Sequence, residues 1–263
     1  MSVALLQADE RCPSPDWRVR ALYRQLEYPR FGWAWEFLRR NLTYREEFAI
    51  EGLRKLASEA DATADMRWPV IEMESPHLGF AQAKVFWRPE MCPAVLPLAV
   101  AGGPLDSLAT PFTLHDLRCD VSVLSEGDIQ HILLTQEGRT LQLFVQGGAV
   151  ADGVVLQTTA TLANGLSPSR IAALKRLNDL LVFRELRPQL YPSDKRARRL
   201  AIILQALDGA LAGAHHREIA AAIFGEERVA REWNYSDHLR DQVRRAISQG
   251  RALSRHGYLR FLL

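Results

Sequence analysis

Apolar residues near the C-terminal end of the chain recur at intervals of three and four. Leu200, Ile203, Leu204, Leu207 and Leu211 mark one face of a helix over 197–213, with Gly213 as its stop. Ile219, Ala220, Ile223 and Phe224 do the same for a short helix over 216–224, with Glu218 in its first turn and Gly225 at its end. A third helix is predicted to open at Ser236, a good N-cap, and to run to about Gln249 with Leu239, Val243, Ala246 and Ile247 inward. At 3.6 residues per turn, Asp241, Arg244, Arg245 and Ser248 then face the other way, with Arg240 on the flank. Past Gly250, the charges Arg251, Arg255, His256 and Arg260 alternate with Leu253, Tyr258, Leu259 and Phe261, a tail that folds back onto the bundle. Residues 193–263 therefore read as a helical, helix-turn-helix-type domain.

Upstream the period changes twice. After a loose tail over 1–15, residues 16–65 read as helical: Val19, Leu22, Tyr23 and Leu26 at helical spacing, a turn at Tyr28 and Pro29, a helix from Trp33 to about Arg40, and another from Thr43 to Leu56. Trp33, Trp35 and Phe37 crowd one short helix. They are either the core of this small unit or an oligomer interface, since large aromatics dominate interface energetics. Ser58 to Asp65 looks like a linker. Over 66–164 the runs become short and strand-like: 83–87, 94–100, 119–124, 128–135, 141–145 and 154–162, separated by Gly and Pro turns. The clearest hairpin turns at Gln136 to Arg139, and the region is expected to form an antiparallel sheet. Over 165–192, Ser167 caps and Pro168 starts a helix with a stripe of Ile171, Leu174, Leu177, Leu180 and Leu181, followed by a hinge at Arg187, Pro188, Tyr191 and Pro192. The fold class is α+β.

Charge singles out the C-terminal domain. From Ser193 onward 13 Lys and Arg face 8 Asp and Glu, a net of +5, whereas the rest of the chain has 20 against 23, a net of -3. A local basic patch on a nearly neutral protein is the electrostatic footprint of phosphate contacts. The plainer reading is a solvated face paired with Glu226, Glu227, Glu232 and Asp241. No catalytic constellation emerges: there is no H-E-x-x-H, G-x-S-x-G or Walker lysine, and the loop at Gly102, Gly103 and Pro104 lacks a phosphate-loop pattern. His115 with Asp116, Asp120 and Asp128 reads as turn chemistry. Adjacent His215 and His216 would diverge by about 100° on a helix, so shared metal binding is disfavoured and His216 is a candidate phosphate contact. Cys12, Cys92 and Cys119 lack C-x-x-C spacing. No leader or membrane-length apolar run occurs, and the cytoplasm is the expected compartment. Neither a cofactor nor an enzyme is expected.

The runs AGAHHREIAAAIFGEERVAREW, SDHLRDQVRRAISQGRAL and GYLRFLL, together with Asp16, Trp17, GWAWEFLRRN, Tyr44 and Arg45 near the other end, resemble the RovC-like family of proteobacterial transcriptional regulators. The chain departs from that pattern at Leu42, where a proline is expected, and at His215, where Ser or Thr is expected as a cap. The resemblance implies a promoter-binding activator that acts as a homo-oligomer, a hexamer being the form it suggests, with type VI secretion or mobile-element genes as targets. On a helix-turn-helix, Arg240, Arg244 and Arg245 would sit in or beside the major groove, with Ser236 and Ser248 on the same helix. Arg217, Arg251 and Arg255 would meet phosphates. Relatives on mobile elements include antiactivators, so the same helices could instead dock another regulator.

Overall fold

The computed structural model describes residues 15–56, 67–101, 112–148, 150, 154–159, 166–235 and 237–263. The tail up to residue 14, the linker at 58–65, the Gly102 to Pro104 loop, residues 160–162 and Ser236 lie outside them. The chain divides into two compact units, Met1–Ala60 with Ser75–Gly79 and Ser193–Tyr258, and Asp61–Glu74 with Phe80–Pro192 and Leu259–Leu263. Helices from both ends of the sequence thus share one unit. The described residues are α+β, as the patterning predicts.

The second unit is built on a five-stranded sheet. Its strands are β1 (Leu96–Val100), β2 (Asp120–Glu126), β3 (Ile129–Gln136), β4 (Arg139–Gln146) and β5 (Leu156–Thr158), in the order β2-β3-β4-β1-β5. The β3–β4 hairpin forms as predicted. Gln136 pairs with Arg139, and Glu137 and Gly138 both take positive φ, the backbone that a two-residue turn needs to match strand twist. The expected all-antiparallel sheet is corrected: β1 runs parallel to β4, with Leu96 opposite Leu143 and Leu98 opposite Val145, so the sheet is mixed. Short-range turn chemistry predicts hairpins, whereas this pairing closes over some fifty residues and leaves no local signal. The run 83–87 is not a full strand either. Trp87 makes an isolated bridge to Val70, and the buried Gln142 amide takes the place of a neighbouring strand, accepting from Trp87 N at 2.9 Å and donating to Trp87 O at 2.8 Å.

Helix α4 (Pro168–Phe183) covers one face of this sheet. Ala173, Leu177 and Leu180 pack with Leu96, Leu98, Ile132, Leu134, Leu143 and Val145 into one core. The buried stripe is rotated from the expected one, since Ile171 and Leu181 are exposed. Ser167 caps α4 by accepting from Arg170 N at 3.2 Å, with Pro168 at the first helical position. Ser167→Ala is therefore expected to cost about 1 kcal/mol, read as a lower urea midpoint with an unchanged slope; an unchanged midpoint would remove the capping assignment.

The first unit packs α1 (Arg20–Arg24), α2 (Arg30–Leu38) and α3 (Leu42–Leu56) with α5 (Ala197–Leu211), α6 (His216–Phe224), α7 (Glu226–Glu232) and α8 (His238–Arg255). Helix α7 leaves little trace in the apolar pattern, because its seven residues carry a single buried anchor, Val229. The aromatic residues of α2 belong to the core. Trp33, Trp35 and Phe37 are 0% exposed, Trp33 Nε1 donates to Tyr28 O at 3.1 Å, and Trp35 Nε1 donates to Leu78 O at 2.9 Å. Their rings have no surface left for a second chain, so the oligomer-interface expectation for these three gives way to the core role.

Charged residues in and just after α2 are buried as well. Arg40 donates Nε and Nη2 to the two carboxylate oxygens of Asp208 on α5, at 2.5 and 2.8 Å, and Nη1 to Glu36 Oε2 at 2.6 Å. Arg39 reaches Glu36 Oε2 at 2.8 Å and Pro76 O at 3.0 Å, and Tyr23 Oη donates to Asp208 at 2.5 Å. Two cations and two carboxylates thus balance inside the unit, which is the condition for burying charge at tolerable cost. Burial, and then the charge of Arg40, push the Arg39 guanidinium down from its ordinary value.

Candidate nucleic-acid interface

Helix α8 carries the basic face. Leu239, Val243, Ala246, Ile247 and Leu253 are buried and fix which way it turns, because residues three and four apart share a face. Its bounds correct the sequence reading. The helix continues through Gly250 for more than a turn, to Arg255, and Gly250 is a packing residue instead of a stop. A Cβ there would lie 2.8 Å from Leu207 Cβ and 3.2 Å from Ile203 O on α5. Asn41 holds the far end of α8: its side-chain amide donates to Ser254 O at 2.9 Å and Arg255 O at 3.2 Å, while its Oδ1 caps α3 by accepting from Tyr44 N at 3.1 Å. Leu42 then occupies the first position of α3, where its side chain is exposed and a proline is not required.

With those contacts in place, Arg240, Arg244, Ser248, Arg251 and Arg255 follow one another at intervals of four, four, three and four along one exposed stripe, about 22 Å long at 1.5 Å per residue. Arg245 lies beside it. The extension of α8 past Gly250 is what brings Arg251 and Arg255 into line with the others. The first half of the stripe is paired within the helix: Arg240 with Asp237 at 3.0 Å, and Arg244 and Arg245 with Asp241 at 2.7 and 3.5 Å. The side chains of Arg244 and Arg245 are still 72% and 73% exposed, so these pairs are worth well under about 1 kcal/mol each and exchange readily for phosphate or base contacts. Among the described residues Arg251 and Arg255 have no acidic partner.

The remaining predicted residues are elsewhere. His216 and Arg217 are exposed in the first turn of α6, a separate helix from the stripe. That turn is closed from the Glu218 side, whose Oε2 accepts from His215 N at 2.7 Å, which supplies the half of a capping box that a glutamate can give. Ser236 is outside the described residues, and Asp237 stands at the N-cap position of α8. Sequence reasoning missed the part played by GWAWEFLRRN: Glu36, Arg39, Arg40 and Asn41 brace α5 and α8 from behind. A basic Arg39-Arg40 pair on a surface-like pattern gives no sign of a partner carboxylate so far along the chain.

Residues 158–263 match the family model described as a type VI secretion system transcription factor DNA-binding domain of the RovC type, and residues 16–69 match a proteobacterial transcriptional regulator-like domain. No curated protein matches the chain. A helical unit that presents a stripe of arginines and matches a DNA-binding domain defines a DNA-binding transcriptional regulator. Within that class the two matched stretches support a RovC-like regulator. Both matched families are families of transcriptional regulators, which are not enzymes. Among the described residues, no helix is long and apolar enough to cross a membrane.

Proposed function

We propose that this regulator activates transcription by placing α8 in the major groove of double-stranded promoter DNA as the second element of a helix-turn-helix. The observation that carries the reading is the continuous Arg240, Arg244, Ser248, Arg251, Arg255 stripe on the outward face of α8. A major groove about 12 Å wide accepts one α-helix, and arginine is the side chain best shaped for bidentate contact with guanine. Arg240, Arg244 and Arg245 read bases or the groove edge in this scheme, Ser248 adds a hydroxyl, Arg251 and Arg255 bind phosphates, and His216 and Arg217 meet the DNA backbone from α6. A single module buries only about 600–1,000 Å² on DNA, so useful specificity requires several copies, and a homo-oligomer such as a hexamer supplies them. Type VI secretion genes are the proposed targets, on the strength of the matched family's description.

Fluorescence anisotropy on duplexes from the gene's own upstream region and on scrambled DNA, at two salt concentrations, tests this. Wild-type protein is expected to prefer a native duplex, and Arg244→Ala/Arg245→Ala to reduce that affinity about ten-fold or more, since one bidentate base contact contributes about 1–3 kcal/mol of discrimination. Equal, weak binding to every duplex, unaltered in the variant, would point instead to docking of a protein partner on α8.

A further inference from the structure

The basic surface does not end with α8. Lys195, Arg198 and Arg199, in and just before the first turn of α5, are all exposed. Arg199 Nη2 donates to Gln249 Oε1 on α8 at 3.2 Å, which joins this turn directly to the exposed side of the arginine helix. The close approach of Gly250 to Ile203 and Leu207 explains the adjacency. Without a side chain at Gly250, α5 and α8 approach backbone to side chain, and one turn further back along α5 stands Arg199.

Acidic residues are disposed to leave these cations available. Asp194, the acid within this turn, is taken by Arg196, whose Nε and Nη2 lie 3.0 and 2.8 Å from its oxygens and whose backbone N–H donates to it at 2.8 Å. Those hydrogen bonds hold the Asp194 carboxyl below its ordinary value. Among the described residues no acid pairs with Lys195, Arg198 or Arg199, just as none pairs with Arg251 or Arg255. Paired arginines therefore occupy the N-terminal half of α8, and unpaired ones occupy its C-terminal half and the adjoining turn of α5.

We infer that the surface is divided by function: Lys195, Arg198 and Arg199 on α5 form, with Arg251 and Arg255, an anchor for the DNA phosphate backbone, next to a reading half at Arg240, Arg244 and Arg245. This rests on the proposed DNA binding and adds a binding site on a second helix. The physical logic is that cations with no acid beside them attract any phosphodiester, whereas Asp237 and Asp241 set negative charge beside Arg240, Arg244 and Arg245, which lowers their general pull on phosphate and leaves them to contacts chosen by geometry. Charge complementarity selects nucleic-acid phosphate as the occupant.

The test compares wild type, Arg198→Ala/Arg199→Ala and Arg198→Lys/Arg199→Lys in the full chain, by anisotropy titrations at several salt concentrations on native and scrambled duplexes. The alanine pair is expected to lower the slope of log affinity against log salt by about 0.9 for each phosphate no longer neutralised, to weaken native and scrambled DNA by the same factor, and to leave the preference between them unchanged. The lysine pair should restore the slope. Where wild type binds DNA, an unchanged slope in the alanine pair overturns the anchor alone, and so does a weakening confined to the native duplex, which would make α5 a base reader. A wild type that binds no duplex ends both the anchor and the DNA-binding reading. The substituted side chains are exposed, and matching thermal melts of the variants verify that folding is intact.

Discussion

Arg40→Ala is expected to destabilise the helical unit by about 3–5 kcal/mol, enough to leave a large unfolded fraction in a domain whose whole stability is typically about 5–15 kcal/mol. The reason is asymmetry between paired and unpaired buried charge. Asp208 and Arg40 are both 0% exposed as side chains, and Arg40 supplies two of the donors that satisfy the carboxylate. Truncating it strips both of those donors from Asp208 and a third from Glu36, while both carboxylates stay buried. Urea unfolding followed by circular dichroism measures the effect, and Arg40→Ala/Asp208→Ala provides the control. Removing both partners restores charge balance, so the double variant should be clearly more stable than the sum of the single ones predicts, with a coupling of about 0.5–3 kcal/mol. Additive effects, or a single variant within about 0.5 kcal/mol of wild type, would show that the network does not hold this unit together.

Gly250 offers a test in which even the sign is diagnostic. If it were an ordinary exposed helix position, Gly250→Ala would stabilise the helix by up to about 1 kcal/mol. Because the added Cβ would meet Leu207 Cβ at 2.8 Å and the Ile203 carbonyl at 3.2 Å, the expected result is a destabilisation of about 1–3 kcal/mol and a weaker DNA complex, as α8 is levered off α5. Backbone cannot move aside as the end of a flexible side chain can. A Gly250→Ala protein that melts higher than wild type would refute the close approach and, with it, the reason that α5 and α8 share one surface.

These two residues mark where the amino-acid pattern is and is not readable. Local chemistry is plain: Ser167 and Pro168 start α4, Glu137 and Gly138 turn the β3–β4 hairpin, and the apolar spacing of Leu239, Val243, Ala246 and Ile247 orients α8. Each of those signals acts within one or two turns of chain. Gly250 misleads because glycine is read first through its backbone freedom, whereas here it is needed for its missing side chain, and only the neighbouring helix reveals that. Arg39 and Arg40 mislead for a related reason: two arginines in a row read as solvent-facing, and the carboxylate that claims Arg40 arrives from far along the chain. The same holds for the parallel pairing of β1 with β4. As to the interface, the outward arginines of α8 are legible as a face, while their alignment with Arg251 and Arg255 depends on the helix running past Gly250.

Arg40 and Asp208 stand 168 positions apart, and that separation has a consequence during synthesis. At about 5–20 residues per second, Arg40, just past the end of α2, leaves the ribosome roughly 8–34 seconds before its distant carboxylate exists. Throughout that interval the tryptophan-rich helix has no complete core to enter. Most of the sheet unit is encoded between the two and can close in the meantime. Translation that fails within or before α5 yields a product able to build strands but neither the helical unit nor a supported α8. If α8 reads DNA as proposed, only a chain translated through α8 competes for operator DNA, and truncated products do not act as dominant competitors at the promoter.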